Sequence, residues 1–270
     1  MKTKKFISAL MAVAMVASTM TTFSAFAVDD PDESGNGILD AIPVSFNRVV
    51  SEELSKTDSY GSYDNDWYSF SLDTASKLNI QVDASLPFIA GTSNPYYEII
   101  DGDNDNTTVF KLEKIESTNS NVVYLSAGNY YIHFCSNDRN KTGTYDFKIV
   151  NTPTEESFDS KSNNNIGKAS SAEFDTEYAE QISLNDDADY YTFNVAEEGC
   201  VTFNFDGDLE NVDWKLYDSE EEVVQKGTLS KAGTDDAISA MKSYVMTAGT
   251  FTLGITKHDT SCGNYTLDLF

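Results

Sequence analysis

Two pairs of aspartates, Asp64 with Asp66 and Asp187 with Asp189, stand where the chain has to do something with buried charge. Each pair leads into an alternating stretch: Tyr68, Phe70 and Leu72 after the first, Tyr191, Phe193 and Val195 after the second, with small polar residues between. Alternation with a period of two marks a strand with one buried face. By the same period both aspartates of a pair share the apolar face, which points inward. A carboxylate turned toward a core is costly unless it finds hydrogen-bond donors or a cation. Calcium, a hard cation that gathers about six to eight oxygens, would satisfy two carboxylates at once. The competing reading keeps these residues at a wet rim, where they cap backbone amides in turns.

Other residues with chemical potential carry less. Asp101, Asp103 and Asp105 open with EF-hand spacing, but Asn106 stands where glycine is needed and Leu112 where the bidentate glutamate belongs, so the stretch is read as a hairpin turn. The two histidines, His133 and His258, belong to no zinc-binding or nucleophile motif, and His133 aligns with Gly254 between the chain's two halves. A pair of glycosidase carboxylates is defined by separation in space and cannot be picked from 44 acids by eye. Trp67 and Tyr190 fall on the opposite face of their strands from the core set, where an aromatic ring can serve as a platform for a sugar or a proline-rich peptide. Tyr96, Tyr130 and Trp214 are further aromatics whose direction the pattern leaves open.

The elements that must position these residues are short strands separated by turns. Residues 42–50, 78–82, 97–100, 109–115, 122–125, 130–134 and 145–150 alternate or are rich in β-formers, which predicts an all-β sandwich or barrel. Residues 151–171, rich in Ser, Asn and acids, mark a boundary, after which the same order recurs. The acidic strand repeats after 123 residues, Ala127-Gly128 returns as Ala248-Gly249 after 121, and Gly143-Thr144-Tyr145 returns as Gly263-Asn264-Tyr265 after 120. Tyr97 to Asp101 matches Trp214 to Asp218 after 117. Offsets that drift by a few residues while the order holds indicate two copies of one unit.

In order, an acidic leader, a D-x-D-Y/W-Y-x-F strand, an L-Y-D-like hairpin, an A-G-x-Y/F strand and a closing G-x-Y strand resemble the bacterial pre-peptidase C-terminal domain family in two tandem copies. The resemblance implies two tandem jelly-roll-like antiparallel β-sandwich domains, of a kind that accompanies secreted hydrolases and in some relatives binds collagen or polysaccharide. It also implies calcium ligands from leader acids and asparagines together with the strand aspartates. Carried over by position, these are Glu155, Glu156, Asn163, Asp187 and Asp189 in the second copy, and Asp32, Glu33, Asn36, Asp64 and Asp66 in the first.

Lys2, Lys4 and Lys5, the apolar run that follows and Ala25-Phe26-Ala27 read as a secretory signal peptide over residues 1–27. No other stretch approaches the length of a membrane span. The expected layout is a first sandwich over 28–150, a linker or leader over 151–171 and a second sandwich over 172–270. With 44 acids against 18 Lys and Arg, the formal charge of −26 repels nucleic acid and anionic lipid. Three cysteines, Cys135, Cys200 and Cys262, leave at least one unpaired, and free thiols are favoured over a Cys200–Cys262 bridge. The functional expectation is a secreted, non-catalytic module that binds an extracellular polysaccharide or protein and is stabilised by calcium. The alternatives are a structural partner of secreted hydrolases without its own ligand, and a small hydrolase.

Overall fold

A computed structural model describes residues 35, 37–54, 64–85, 94–115, 117–136, 143–158, 162–232 and 237–270. Residues 1–27, read above as a signal peptide, and the leader acids Asp32 and Glu33, with Asn36, lie outside the described residues. The first nine strands are β1 (Ile42–Pro43), β2 (Val50–Leu54), β3 (Asn65–Leu72), β4 (Ser76–Ala84), β5 (Pro95–Asp101), β6 (Thr107–Leu112), β7 (Thr118–Leu125), β8 (Gly128–Ser136) and β9 (Gly143–Pro153). They form a five-stranded sheet, β1-β3-β8-β5-β6, facing a four-stranded one, β2-β9-β4-β7. The next nine are β10 (Ser170–Ser171), β11 (Thr176–Ile182), β12 (Ala188–Val195), β13 (Gly199–Gly207), β14 (Asn211–Tyr217), β15 (Val223–Ser230), β16 (Ile238–Met246), β17 (Gly249–Lys257) and β18 (Gly263–Leu269). Their sheets are β10-β12-β17-β14-β15 and β11-β18-β13-β16, the same order strand for strand.

Each sheet pairs antiparallel except for the two-residue bridges β1–β3 and β10–β12, which are parallel. The fold is therefore two tandem antiparallel β-sandwiches. Each closes its own core, one around Tyr68, Ile80, Ile132 and Phe147, the other around Tyr191, Phe205, Leu253 and Leu267. The alternation in the sequence is the cause: in β4 the residues Leu78, Ile80 and Val82 are buried while Lys77, Asn79 and Gln81 between them stay half-exposed. Residues 42–50, expected as one strand, are split between the two sheets as β1 and β2. The hinge between them is Asn47 in the left-handed region (φ 63°), a conformation asparagine tolerates better than most residues.

Both sandwiches belong to one compact unit, Pro31–Phe270. The loop 183–187, between β11 and β12, makes the joint. The Leu184 amide donates to the Tyr124 carbonyl at 2.8 Å, and the Leu184 side chain packs on the first core. The Asn185 amide donates to Asp101 Oδ2 and to the Tyr130 hydroxyl, both at 2.8 Å, and its Oδ1 accepts the Ser126 amide at 3.2 Å. Asp208 adds a second joint through the Tyr124 hydroxyl at 2.7 Å and Lys77 Nζ at 3.4 Å. An Asn185→Ala change removes three bonds and strips a donor from the buried Asp101. It is expected to cost about 2 kcal/mol in urea unfolding; a loss within error of zero would show that the joint does not depend on this amide.

Candidate metal centre and aromatic faces

In the second sandwich four acids come within Coulombic reach of one another: Glu156 after β9, Glu180 on β11, Asp186 in the joint loop and Asp189 on β12. Glu180, Asp186 and Asp189 are buried, as is Asn163. Asp189 Oδ2 accepts the Tyr265 hydroxyl at 2.6 Å, and Tyr265 in turn meets the Tyr191 hydroxyl at 2.5 Å. Glu180 Oε1 takes the Phe158 amide at 3.0 Å, and Asp186 Oδ1 takes the Ala188 amide at 3.5 Å. Glu180 Oε2, Asp186 Oδ2, Asp189 Oδ1 and both amide atoms of Asn163 are buried and have no hydrogen-bond partner among the described residues. Burial, reinforced by Glu156, pushes Glu180 up to about 9. Burial also lifts Asp186 to about 7 against the pull of the Ala188 amide. Asp189 is raised well above the carboxylate range, by burial first and by Asp186 next.

Orphaned buried oxygens on three carboxylates and one amide are the donor set of a hard cation. As the side chains stand, no three His, Cys, Asp or Glu among the described residues are gathered tightly enough to hold an ion. The donor types thus fit calcium, while the spacing requires the carboxylates to turn inward around it. Of the residues expected from the sequence, Glu156, Asn163 and Asp189 come together here. Glu155 is exposed. Asp187 was expected to face inward with Asp189, but it precedes β12, is 89% exposed and pairs with Lys257 Nζ at 2.8 Å. The strand period does not extend to a residue outside the strand. Glu180 and Asp186 were missed; the Asp186–Asp189 spacing is a faint signal for one of them.

The first sandwich repeats half of this. Tyr145 donates to Asp66 Oδ2 at 2.6 Å and meets the Tyr68 hydroxyl at 2.9 Å, the same chain as Asp189–Tyr265–Tyr191. Glu52 faces Tyr145 across β2–β9 as Glu180 faces Tyr265 across β11–β18, and its pKa is raised by burial and then by Asp64. Asp64 is buried, and Asp66 is half-buried. The carbonyl that accepts the β3 amide of Trp67 is Gly35, whereas Asn163 accepts the matching amide of Tyr190. The first sandwich thus has no side chain at the Asn163 position.

The two aromatics expected to face outward do so at matching places. Trp67 lies opposite His133, and Tyr190 opposite Gly254, on the outer face of each five-stranded sheet. Trp67 stacks on His133 with centroids 4.1 Å apart and planes at 12°. His133 is buried beneath it, with Nδ1 on Glu98 Oε1 and Nε2 on Asn65 Oδ1, both at 3.0 Å. The Tyr190 ring lies flat over Gly254, where a Cβ would meet Tyr190 Cε1 at 2.8 Å. Tyr96 joins the outer face under Lys111 Nζ at 4.4 Å, while Tyr130 and Trp214 turn into the cores. None of the three cysteines is in a disulfide, which removes the Cys200–Cys262 bridge. Asp101 to Asn106 forms a turn: Asp101 Oδ1 caps the Asp103 amide, and Asp103 holds Asn129.

No family model and no curated protein sequence matches the chain. Among solved structures it is similar to the pre-peptidase C-terminal domain of collagenase from Bacillus anthracis, with 21% identity over 38% of this chain and 94% of that one and a TM-score of 0.30. It is similar to a secreted protein from Eubacterium rectale, with 11% identity over 94% and 84% of the two chains and a TM-score of 0.29. It is also similar to the tandem CBM22 domains of Paenibacillus barcinonensis Xyn10C, with 11% identity over 87% and 95% and a TM-score of 0.22.

The acidic centre sets the pH response. Glu180 and Asp186 bind protons more tightly folded than unfolded, so their contribution is complete below pH about 4 and is lost as pH rises through about 7 to about 9. In chelator the melting temperature should fall steadily between pH 5 and pH 9, and Glu180→Gln should flatten that slope. A melting temperature that rises over this range would contradict the assignment.

Proposed function

We propose that the chain is a secreted, non-catalytic binding protein made of two tandem domains of the pre-peptidase C-terminal type, which holds an extracellular polymer through the outer faces of its five-stranded sheets. The observation that carries this reading is the duplicate placement of Trp67 and Tyr190: one register position, one sheet, one outward face, in both copies. A flat aromatic that is fixed by a neighbour beneath it stacks on a sugar ring or a prolyl ring with little side-chain entropy to lose. Extracellular placement rests on the leader sequence; among the described residues no helix is long and apolar enough to cross a membrane. A non-catalytic role is supported at the histidines. Both ring nitrogens of His133 are engaged beneath Trp67, and His258 is a half-exposed residue just after β17, bonded to Asp213.

Calcium belongs to the second sandwich in this reading, with Glu156, Asn163, Glu180, Asp186 and Asp189 as the oxygen donors. When bound it would supply the positive charge that lets these acids ionise while buried. The loop that carries Asp186 also carries Leu184 and Asn185 into the first sandwich, so ordering the centre would stiffen the joint.

Two measurements test the proposal. Calcium at about 100 times its dissociation constant should stabilise the fold by about 2.7 kcal/mol over a chelated sample, and Asp189→Asn should abolish the difference; superimposable melts would remove the metal. On a glycan and matrix-protein array, Trp67→Ala and Tyr190→Ala should each weaken retention about tenfold or more. Retention unchanged in the double variant would remove the platform.

A further inference from the structure

The same four register positions run across the outer face of each five-stranded sheet. In the first sandwich the row is Trp67, His133, Glu98 and Lys111, on β3, β8, β5 and β6. In the second it is Tyr190, Gly254, Lys215 and Lys226, on β12, β17, β14 and β15. The charges of the first row are answered within the protein: Glu98 holds His133 at 3.0 Å, and Lys111 lies over the Tyr96 ring and 3.2 Å from Glu113. The second row is different. Lys215 and Lys226 are exposed and directly opposite each other on neighbouring strands, and neither has an ion pair with a described residue.

Like charges placed face to face across a sheet repel. In a chain with 44 acids and only 18 Lys and Arg, two facing lysines are a local concentration of positive charge, and the carboxylate that feels Lys215 is that of Asp213, two residues back on the same strand. The acids nearest in sequence are already engaged: Asp213 by Thr228 and by His258 at 3.0 Å, and Asp218 by the amides of Glu220 and Glu222. Gly254 lets the Tyr190 ring lie one strand closer to the lysines than its own backbone, so the ring sits about 4.8 Å from the Lys215 strand and about twice that from Lys226. A ligand that pairs an anionic group with a flat, C–H-rich face would meet the lysines and the tyrosine together.

We infer that Tyr190, Lys215 and Lys226 form a subsite for a carboxylated sugar, so that the polymer bound by the second sandwich is a polysaccharide of uronic acids. This rests on the platform reading above and adds the charge of the ligand to it. The ring stacks on the pyranose face while the two ammonium groups take the carboxylate of the same or the next unit. The protein's overall negative field does not forbid this, because at physiological ionic strength it is screened over about 8 Å, a shorter distance than the width of the sheet. The first sandwich, with its row already charge-balanced, would take neutral units.

The test is binding to polygalacturonate, its fully methyl-esterified form, a neutral galactan and a sulfated galactan, with the full mature chain in EDTA so that calcium cannot bridge carboxylates. Polygalacturonate should bind about tenfold or more tightly than its ester, and Lys215→Gln with Lys226→Gln should erase that preference. Both lysines are exposed, and a melt of the double variant checks that the fold is kept. Equal affinity for acid and ester, a preference that survives the double variant, or binding of the sulfated polymer alone would overturn the inference. Neutral binding that is lost in Tyr190→Ala but indifferent to the lysines leaves the platform standing and removes only the anion subsite. No binding to any of the four removes both.

Discussion

A carboxylate with no exposure must be protonated, bonded on both oxygens or beside a cation, and Asp189 meets this condition on one oxygen only. The rest of the second sandwich is arranged around that requirement. Tyr265 comes from the closing strand β18 to donate to Asp189, and Tyr191, two residues further along the same strand as Asp189, supports Tyr265. The chain Asp–Tyr–Tyr thus ties the two sheets together through their shared core. It recurs as Asp66–Tyr145–Tyr68 in the first sandwich, so the same link ties both pairs of sheets. Glu180 has its counterpart in Glu52 of the first sandwich, and in the second sandwich Asp186 joins Glu180 and Asp189 to turn a structural hydrogen bond into a concentration of negative charge.

That concentration explains why the joint between the sandwiches lies where it does. The loop 183–187 has to bring Asp186 inward, and a loop held at one end by buried charge can present its other residues at fixed positions. Leu184 and Asn185 use that rigidity to reach Tyr124, Ser126, Tyr130 and Asp101 of the first sandwich. Lys257 clamps the loop from the other side, through the Leu184 carbonyl at 3.0 Å and Asp187 at 2.8 Å. Asp187, the acid expected inside the centre, holds the loop from outside it.

Much of the architecture was legible in the sequence because strands announce themselves by period. The landmarks separated by 117, 120, 121 and 123 residues occupy matching strand positions, so that Glu98 answers to Lys215, Tyr145 to Tyr265, Gly128 to Gly249 and Trp67 to Tyr190. The centre was only half legible. Asp189 and Asn163 could be placed by the strand period and the family resemblance, but Glu180 lies on β11, a strand that sequence periodicity did not pick out. Asp186 was passed over because the pattern was read as D-x-D, whereas the inward pair is spaced by three across the start of a strand. A period of two holds only while the backbone stays extended, and it fails at the turn where Asp186 and Asp187 exchange sides.

The two sandwiches share strand order and core positions and contrast on their outer faces, at positions that do not enter either core. The row Trp67-His133-Glu98-Lys111 spends its polar groups on one another, which makes the tryptophan a fixed slab with no charge left to offer. In the matching row glycine replaces histidine, so the aromatic ring can lie flat, and lysine replaces glutamate, so the row itself holds two cations and no acid. The differences at register positions 133/254 and 98/215 thus change a row whose charges answer one another into one that carries two lysines. Neither position belongs to the apolar cluster that closes the second core.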